Sequence, residues 1–327
     1  MAQHLLSVED LRTEFQRATD KVYAVNGLSF TLAPGETLGI VGESGSGKSV
    51  SVMTILGLVK GASRVSGKAF FQGKDLLKLK RFQLEDIRGR DIGVVFQDPM
   101  TSLNPRMRIG DQIMEAMLTH GYASHKASYE RTLQLLAQVG LPEPESRFRN
   151  YPHEFSGGMR QRVMIAMAVA CEPQLLIADE PTTALDVSVQ MQILTLLARL
   201  RDQQQMSVIM ITHDFGVATN FCDRIIVMYS GMMMESAPLE DFLTRPAHPY
   251  TIGLKQSIIE FGDRGKRLHP IPGMAATLKE PPSHCPFADR CSWVVDRCRT
   301  ELPEQWEISP NHRVACHRAE EVMAHVD

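Results

Sequence analysis

No stretch of this sequence stays apolar for the 18 or so residues that a membrane span needs. Residues 50–59 form one of the longest apolar runs, and Ser51, Thr54 and Gly57 interrupt it. No secretory leader is expected either, because Glu9 and Asp10 stand where a basic start and an apolar stretch belong. Positive charge is not in excess: 35 Lys and Arg meet 38 Asp and Glu, for a net charge of −3. That balance excludes the electrostatic footprint of a protein whose main partner is nucleic acid. Internal repeats are absent, and so is the polar bias of a disordered chain, since 43% of residues are hydrophobic and 22% charged. The expectation is a cytosolic globular protein whose 327 residues suffice for one large domain or two ordinary ones.

Six cysteines are present. Cys171 and Cys222 stand alone in apolar surroundings and read as small buried hydrophobes. Cys285, Cys291, Cys298 and Cys316 gather in the tail with the spacing C-x5-C-x6-C-x17-C. The cytosol keeps thiols reduced, so such a group points to a metal or a cluster before disulfides. Structural zinc sites pair cysteines as C-x2–4-C and ferredoxins use C-x-x-C, so spacing alone leaves zinc, a cluster and free thiols all open. His284 and His317 read as polar loop residues, not ligands.

Along the first 250 or so residues, strand-like and helix-like stretches alternate, the pattern of an α/β domain on a mostly parallel sheet. Short apolar runs at 37–41, 91–96, 175–178, 208–212 and 225–228 are the expected strands, the last followed by a turn at Gly231. Between about 99 and 172 the sequence becomes helix-forming, with helical periodicity at 113–117 and 133–136, and reads as an inserted helical subdomain. From about Pro246 prolines become frequent, which marks a loop-rich appendage around the four cysteines. The expected division is 1–260 for the main domain and 261–327 for the appendage.

The strongest chemical signal is Gly42-Glu-Ser-Gly-Ser-Gly47-Lys48-Ser49, directly after an apolar strand. It fits G-x-x-x-x-G-K-[ST] at every fixed position. Gly42, Ser44, Gly45, Ser46 and Gly47 would let successive backbone N–H groups wrap around phosphates, helped by the start of the following helix. Lys48 would reach the β- and γ-phosphates, and Ser49 would ligate Mg²⁺. A second apolar run delivers Asp179 and Glu180 at its C-terminal end, where open α/β sheets bind ligands. Asp179 is suited to holding Mg²⁺ and Glu180 to orienting and activating a water. Between the two motifs, Ser156-Gly157-Gly158 opens a helix and offers another anion-binding helix end.

With these motifs the sequence resembles the ATP-binding subunit of an ABC transporter over residues 20–235. The resemblance makes 42–49 the Walker A loop and Asp179-Glu180 the end of Walker B. Phe155-Ser-Gly-Gly-Met159 matches the Leu-Ser-Gly-Gly-Gln signature with two departures, and the retained Ser156, Gly157 and Gly158 are the part implied to touch phosphate. It also implies that Gln97 is the Q-loop residue that senses Mg²⁺ and the membrane partner. Asp186 ends the D-loop, His213 is the switch histidine at the γ-phosphate, and Tyr23 stacks on adenine. The implied fold is a P-loop ABC-type domain with a RecA-like core, an antiparallel β part and a helical insertion. The implied mechanism is head-to-tail dimerisation, each ATP bound by Walker A of one copy and capped by the signature of the other.

Longer stretches narrow the resemblance to the oligopeptide/dipeptide importer ATPases. They include Phe96-Gln-Asp-Pro-Met-Thr-Ser-Leu-Asn-Pro105, Tyr151-Pro-His-Glu-Phe-Ser-Gly-Gly-Met-Arg-Gln-Arg162, His248-Pro-Tyr250 and Cys285-Pro-Phe-Ala-Asp-Arg-Cys291. Members import peptides, glutathione or nickel, so peptide import is the expected role, with nickel or glutathione cargo or a non-transport regulatory ATPase as alternatives. The implied partners are a paralogous ATPase subunit, two transmembrane permease subunits and, indirectly, an extracytoplasmic binding protein, at the cytoplasmic face of the cell membrane. Some members hold a [4Fe–4S] cluster at matching cysteines, so the resemblance assigns Cys285, Cys291, Cys298 and Cys316 to a cluster, with zinc as the alternative.

Overall fold

The computed structural model describes residues 4–16, 20–183, 185–256 and 271–325. These form strands β1 (Leu6–Gln16), β2 (Lys21–Leu32), β3 (Thr37–Val41), β4 (Ala62–Phe71), β5 (Lys74–Asp75), β6 (Ile92–Val95), β7 (Leu175–Asp179), β8 (Ser207–Thr212), β9 (Arg224–Tyr229), β10 (Met232–Pro238), β11 (Trp306–Ser309) and β12 (His312–Val314). The chain divides into two compact units, the first of Met1–Ala33, Thr37–Lys78 and Ile211–Asp327, the second of Pro34–Glu36 and Leu79–Met210. The expected boundary at 260/261 lies outside the described residues.

In the first unit an antiparallel sheet runs in the order β2-β1-β4-β5. Register shifts between Val8 and Leu11 and again before Arg12 break the alternation of β1, so its apolar residues do not keep a strict period of two. The same unit carries the order β11-β12-β10-β9-β3. There β3 pairs with β9 in parallel, while β9, β10, β12 and β11 pair antiparallel in succession. Every residue of β3 is buried, as the unbroken run Thr-Leu-Gly-Ile-Val requires of a strand covered on both faces.

The second unit holds the parallel pair β6 and β7 and the helices between them. Four of those helices are Ile109–Thr119, His125–Gln138, Pro144–Phe148 and Gly157–Ala168, within the span expected to be helical. The unit also includes the long helix Val187–Gln204, whose buried face is Ile193, Leu194, Leu196, Leu197 and Leu200. Apolar residues three and four apart form that stripe, and Val187 and Met191 are the large apolar residues left exposed on its outer face. Cys171 and Cys222 are buried, as expected, and burial pushes the Cys171 thiol up to about 11.

Within the first unit the appendage is tied to the other strands through a carboxylate that composition would place on the surface. Glu235 on β10 is 0% exposed. Its Oε1 accepts the Ala247 N–H at 2.8 Å and its Oε2 the His248 N–H at 3.0 Å. His312, on the appended β12, donates Nε2–H to Oε1 at 2.8 Å, and its Nδ1 stands 4.0 Å from Asp241. A carboxylate only accepts, so the proton of His312 sits on Nε2. His248 beside it accepts the Tyr250 N–H at Nδ1, and burial lowers its pKa to about 4, which keeps the ring neutral. Breaking a buried pair by removing one partner strands the other charge in a low dielectric. His312→Ala is therefore expected to cost about 3 kcal/mol. Trp293 and Trp306, the two tryptophans of the chain, both lie in the appendage, so the urea midpoint of intrinsic fluorescence measures the effect.

Candidate functional site

The phosphate loop belongs to the first unit. β3 ends at Val41, the loop follows, and the helix Lys48–Ile55 begins with Gly47 as its N-cap at φ 97, with no side-chain capping bond. Two glycines here are obligatory. A Cβ at Gly42 would lie 2.2 Å from the Met228 carbonyl oxygen, and one at Gly47 would lie 2.5 Å from that of Ala24. Lys48 is 4% exposed and arches back over the loop, donating from Nζ to the Gly42 carbonyl at 2.8 Å and the Glu43 carbonyl at 3.0 Å. Among the described residues Ser46 Oγ has no hydrogen-bond partner and is buried, the kind of polar atom that a phosphate oxygen satisfies. Ser44 and Gly45 are exposed, and Ser49 is half-buried in the first turn of the helix. Tyr23 is half-buried on β2, and His213 is exposed between β8 and the helix Phe215–Phe221.

Asp179 and Glu180 belong to the second unit. Asp179, the last residue of β7, is buried. Glu180 follows at φ 47, a left-handed conformation that costs a non-glycine residue of order 1 kcal/mol and marks strain held by the surroundings. Two donors hold its Oε2, Gln97 Nε2–H at 2.8 Å and Thr183 Oγ1–H at 2.9 Å. With its amide nitrogen committed to Glu180, Gln97 keeps its carbonyl oxygen as an acceptor-only atom. Of these, Thr183 was not singled out from the sequence as a residue that holds Glu180, because nothing in the motif itself gives side-chain direction.

The same unit exposes Ser156 and Gly157, while Gly158 is half-buried. Ser156 caps the helix Gly157–Ala168, its Oγ accepting the Met159 N–H at 3.4 Å. Asp186, also exposed, caps the helix Val187–Gln204 by accepting the Val189 N–H at 2.9 Å, and that bond holds its carboxyl below the ordinary value. Val187 and Met191, four residues apart on that helix, are 78% and 52% exposed.

Around the tail cysteines, Cys285, Cys291, Cys298 and Cys316 border one cavity together with His248, Phe287, Trp293 and Arg318. All four are free thiols. Among the described residues, no set of three or more His, Cys, Asp or Glu is grouped to hold a metal ion, so neither the cluster nor zinc rests on a preformed ligand set. Burial pushes Cys285 up to about 11 and Cys316 up to about 12, and raises Cys291 as well. The Trp293 N–H donates to Cys291 Sγ at 3.3 Å and the Arg318 N–H to Cys316 Sγ at 3.4 Å. His317 lines this cavity and is bonded to the Glu301 carbonyl, and His284 pairs with Ser283.

Comparison with known proteins decides the family. The family model for the ABC transporter domain matches residues 25–183, and that for the oligopeptide/dipeptide transporter C-terminal region matches 234–298. The chain is 47% identical to the oligopeptide transport ATP-binding protein OppD of Salmonella typhimurium, over 98% of this chain and 96% of that one. This chain belongs to the ABC transporter ATP-binding proteins of the oligopeptide/dipeptide class. It is also 47% identical to the dipeptide transport ATP-binding protein DppD of Bacillus subtilis, over 96% and 94% of the two chains. Among solved structures, the ATPase resembles a dimeric post-hydrolysis ATP-binding cassette bound to ADP and phosphate. That match has a TM-score of 0.65 and 29% identity, over 72% of this chain and 98% of the other. The match to the C-terminal region starts within β10, earlier than the appendage expected from proline content. In this ABC ATPase, Gly47→Ala should add about 1–3 kcal/mol of strain to the loop. MgATP binding by calorimetry should fall below detection while far-ultraviolet circular dichroism stays unchanged.

Proposed function

We propose that the protein is the ATP-hydrolysing subunit that powers import of di- and oligopeptides across the cytoplasmic membrane. The observation that carries the reading is the hold of Gln97 and Thr183 on Glu180 at the end of β7, in a chain nearly half identical to peptide transport ATPases. Those relatives are described by oligopeptide and dipeptide transport, which favours peptide over nickel or glutathione as cargo. No helix among the described residues is long and apolar enough to cross a membrane; in this reading the energy passes to permease subunits.

In this reading the N–H groups of loop 42–49 and the Lys48 ammonium bind the phosphates, and Tyr23 stacks on adenine. Ser49, Gln97 and Asp179 are hydroxyl, amide and carboxylate oxygens, the hard donor set that suits Mg²⁺. Bound Mg²⁺ offsets phosphate charge. Glu180 takes a proton from the attacking water, and Gln97 and Thr183 fix the carboxylate so that no reorientation precedes the step. His213 contacts the γ-phosphate. The exposed Ser156 and Gly157 and the half-buried Gly158, with Asp186, cap the nucleotide of a second, paralogous ATPase subunit in a head-to-tail pair. The exposed Val187 and Met191 supply apolar surface for that pairing. Two permease subunits and an extracytoplasmic binding protein complete the importer, with this subunit on the cytoplasmic face of the membrane.

The tail cysteines belong to the same reading as ligands of a [4Fe–4S] cluster, with zinc as the alternative. Two backbone N–H donors on cysteine sulfurs and a cavity bordered by all four thiols support it. Iron or zinc would supply the positive charge that turns such buried thiols into thiolates and would cross-link a segment with little core of its own. We assign residues 1–260 to the nucleotide engine and 261–327 to this appendage.

Glu180→Gln tests the engine. The variant should bind MgATP as the unmutated chain does and lose turnover by roughly 100-fold or more. Turnover near the unmutated rate would remove Glu180 from the base role. For the tail, anaerobic purification with iron, sulfide and zinc analysis should give four iron and four sulfide per chain. One zinc per chain would replace the cluster, and no metal would leave the thiols as packing residues.

A further inference from the structure

Glu43 is the second residue of the phosphate loop, and its carboxylate has the wrong sign for a site that takes phosphate. The appendage meets it with Arg290. The guanidinium forms a two-pronged pair with Glu43, Nη1 to Oε2 at 2.6 Å and Nη2 to Oε1 at 2.9 Å. Its remaining donors are also used. Nε–H donates to the Pro272 carbonyl at 2.7 Å, Nη2 to the Gly273 carbonyl at 3.3 Å, and Nη1 to Tyr229 Oη at 3.3 Å. The fork lies over the Tyr229 and Phe287 rings, and only 7% of the side chain is exposed. Hydrogen bonding to Glu43 raises the Arg290 pKa above the ordinary guanidinium value, so its charge is permanent.

Glu43 is held at its backbone as well. Tyr250 Oη accepts the Glu43 N–H at 3.1 Å, and Lys48 Nζ donates to the Glu43 carbonyl. If Arg290 were absent, the cation nearest in sequence and already bonded to this residue would be Lys48. The loose carboxylate would then compete with nucleotide phosphate for that ammonium. The segment that carries the Arg290 acceptors also touches a second nucleotide residue, because the Leu278 carbonyl accepts the Tyr23 N–H at 3.0 Å.

We propose that Arg290 is a positioning residue of the ATP site: by neutralising and immobilising Glu43 it keeps Lys48 available to phosphate, so the appendage sets nucleotide affinity. The inference rests on the reading of loop 42–49 as the phosphate loop for ATP.

The test is a double-mutant cycle on the full chain, with the Kd for MgATP measured by calorimetry and the fold of the tail by tryptophan fluorescence. Arg290→Met should raise the Kd roughly tenfold. Adding Glu43→Gln to Arg290→Met removes the unpaired charge and should return the Kd to within about threefold of the unmutated chain. A residue that merely held the fold would show no such rescue, so a double variant as weak as Arg290→Met overturns the proposal. So does Arg290→Met that binds as tightly as the unmutated chain. Should Arg290→Met not fold, Arg290→Gln carries the same cycle, since glutamine keeps hydrogen-bond donors for the Pro272 and Gly273 carbonyls and removes the charge. Lys48→Ala in parallel must lose MgATP. If it binds normally, the phosphate-loop reading fails and takes the proposal with it, whereas a failed cycle beside an inactive Lys48→Ala condemns the proposal alone.

Discussion

Backbone meets backbone around the phosphate loop with no room for a side chain, and much of the first unit is arranged to permit it. Gly42 faces the carbonyl of Met228 at the end of β9, and Gly47 faces that of Ala24 on β2. The turn between β9 and β10 closes the set, since the Gly231 N–H donates to Ser46 and its carbonyl accepts the Asn26 N–H. Asn26 adds side-chain bonds to the carbonyls of Tyr23 and Ser230. An antiparallel strand, a parallel strand end and a hairpin turn thus reach the same few ångströms. The loop is shaped by main-chain contacts, which are rigid, and its curvature does not wait for a ligand.

Against that rigid cradle, the groups expected to meet a second subunit are turned outward. Ser156, Gly157 and Asp186 are exposed and each helix start is capped internally, so they are preordered without being covered. Glu180 is in a strained backbone conformation under two hydrogen bonds, a state typical of residues kept for chemistry and not for packing. The appendage sits in the same economy of fixed contacts. Cys291 directly follows Arg290, so order at the thiols and order at Glu43 are one peptide bond apart.

Sequence alone revealed the fully buried strands best, because a strand covered on both faces must be apolar throughout. The runs at 37–41, 175–178 and 208–212 fall within β3, β7 and β8 for that reason. The nucleotide motifs were legible because phosphate chemistry restricts residue type at fixed spacing. Less was legible where burial contradicts residue type. Glu235 looks like a surface residue of a Met-rich strand, yet it is buried because partners from elsewhere in the chain satisfy it, His312 77 positions away. The pairing of Arg290 with Glu43 spans 247 positions and leaves no local trace. The strands β11 and β12 are short and polar, and they exist because β10 offers them an edge. The bulged β1 hides its alternation for the opposite reason, since the irregular register is set by its neighbours.

That edge has a consequence for biosynthesis. Until β12 pairs at Glu235 and Ser236, β10 would present a row of unbonded N–H and C=O groups along a Met-rich strand. The covering strand leaves the ribosome well after the strand it covers, so the nucleotide engine emerges with an adhesive side. The buried carboxylate on β10 is costly to leave unpaired, so a strand that closes this side has also to satisfy Glu235, as β12 does with His312.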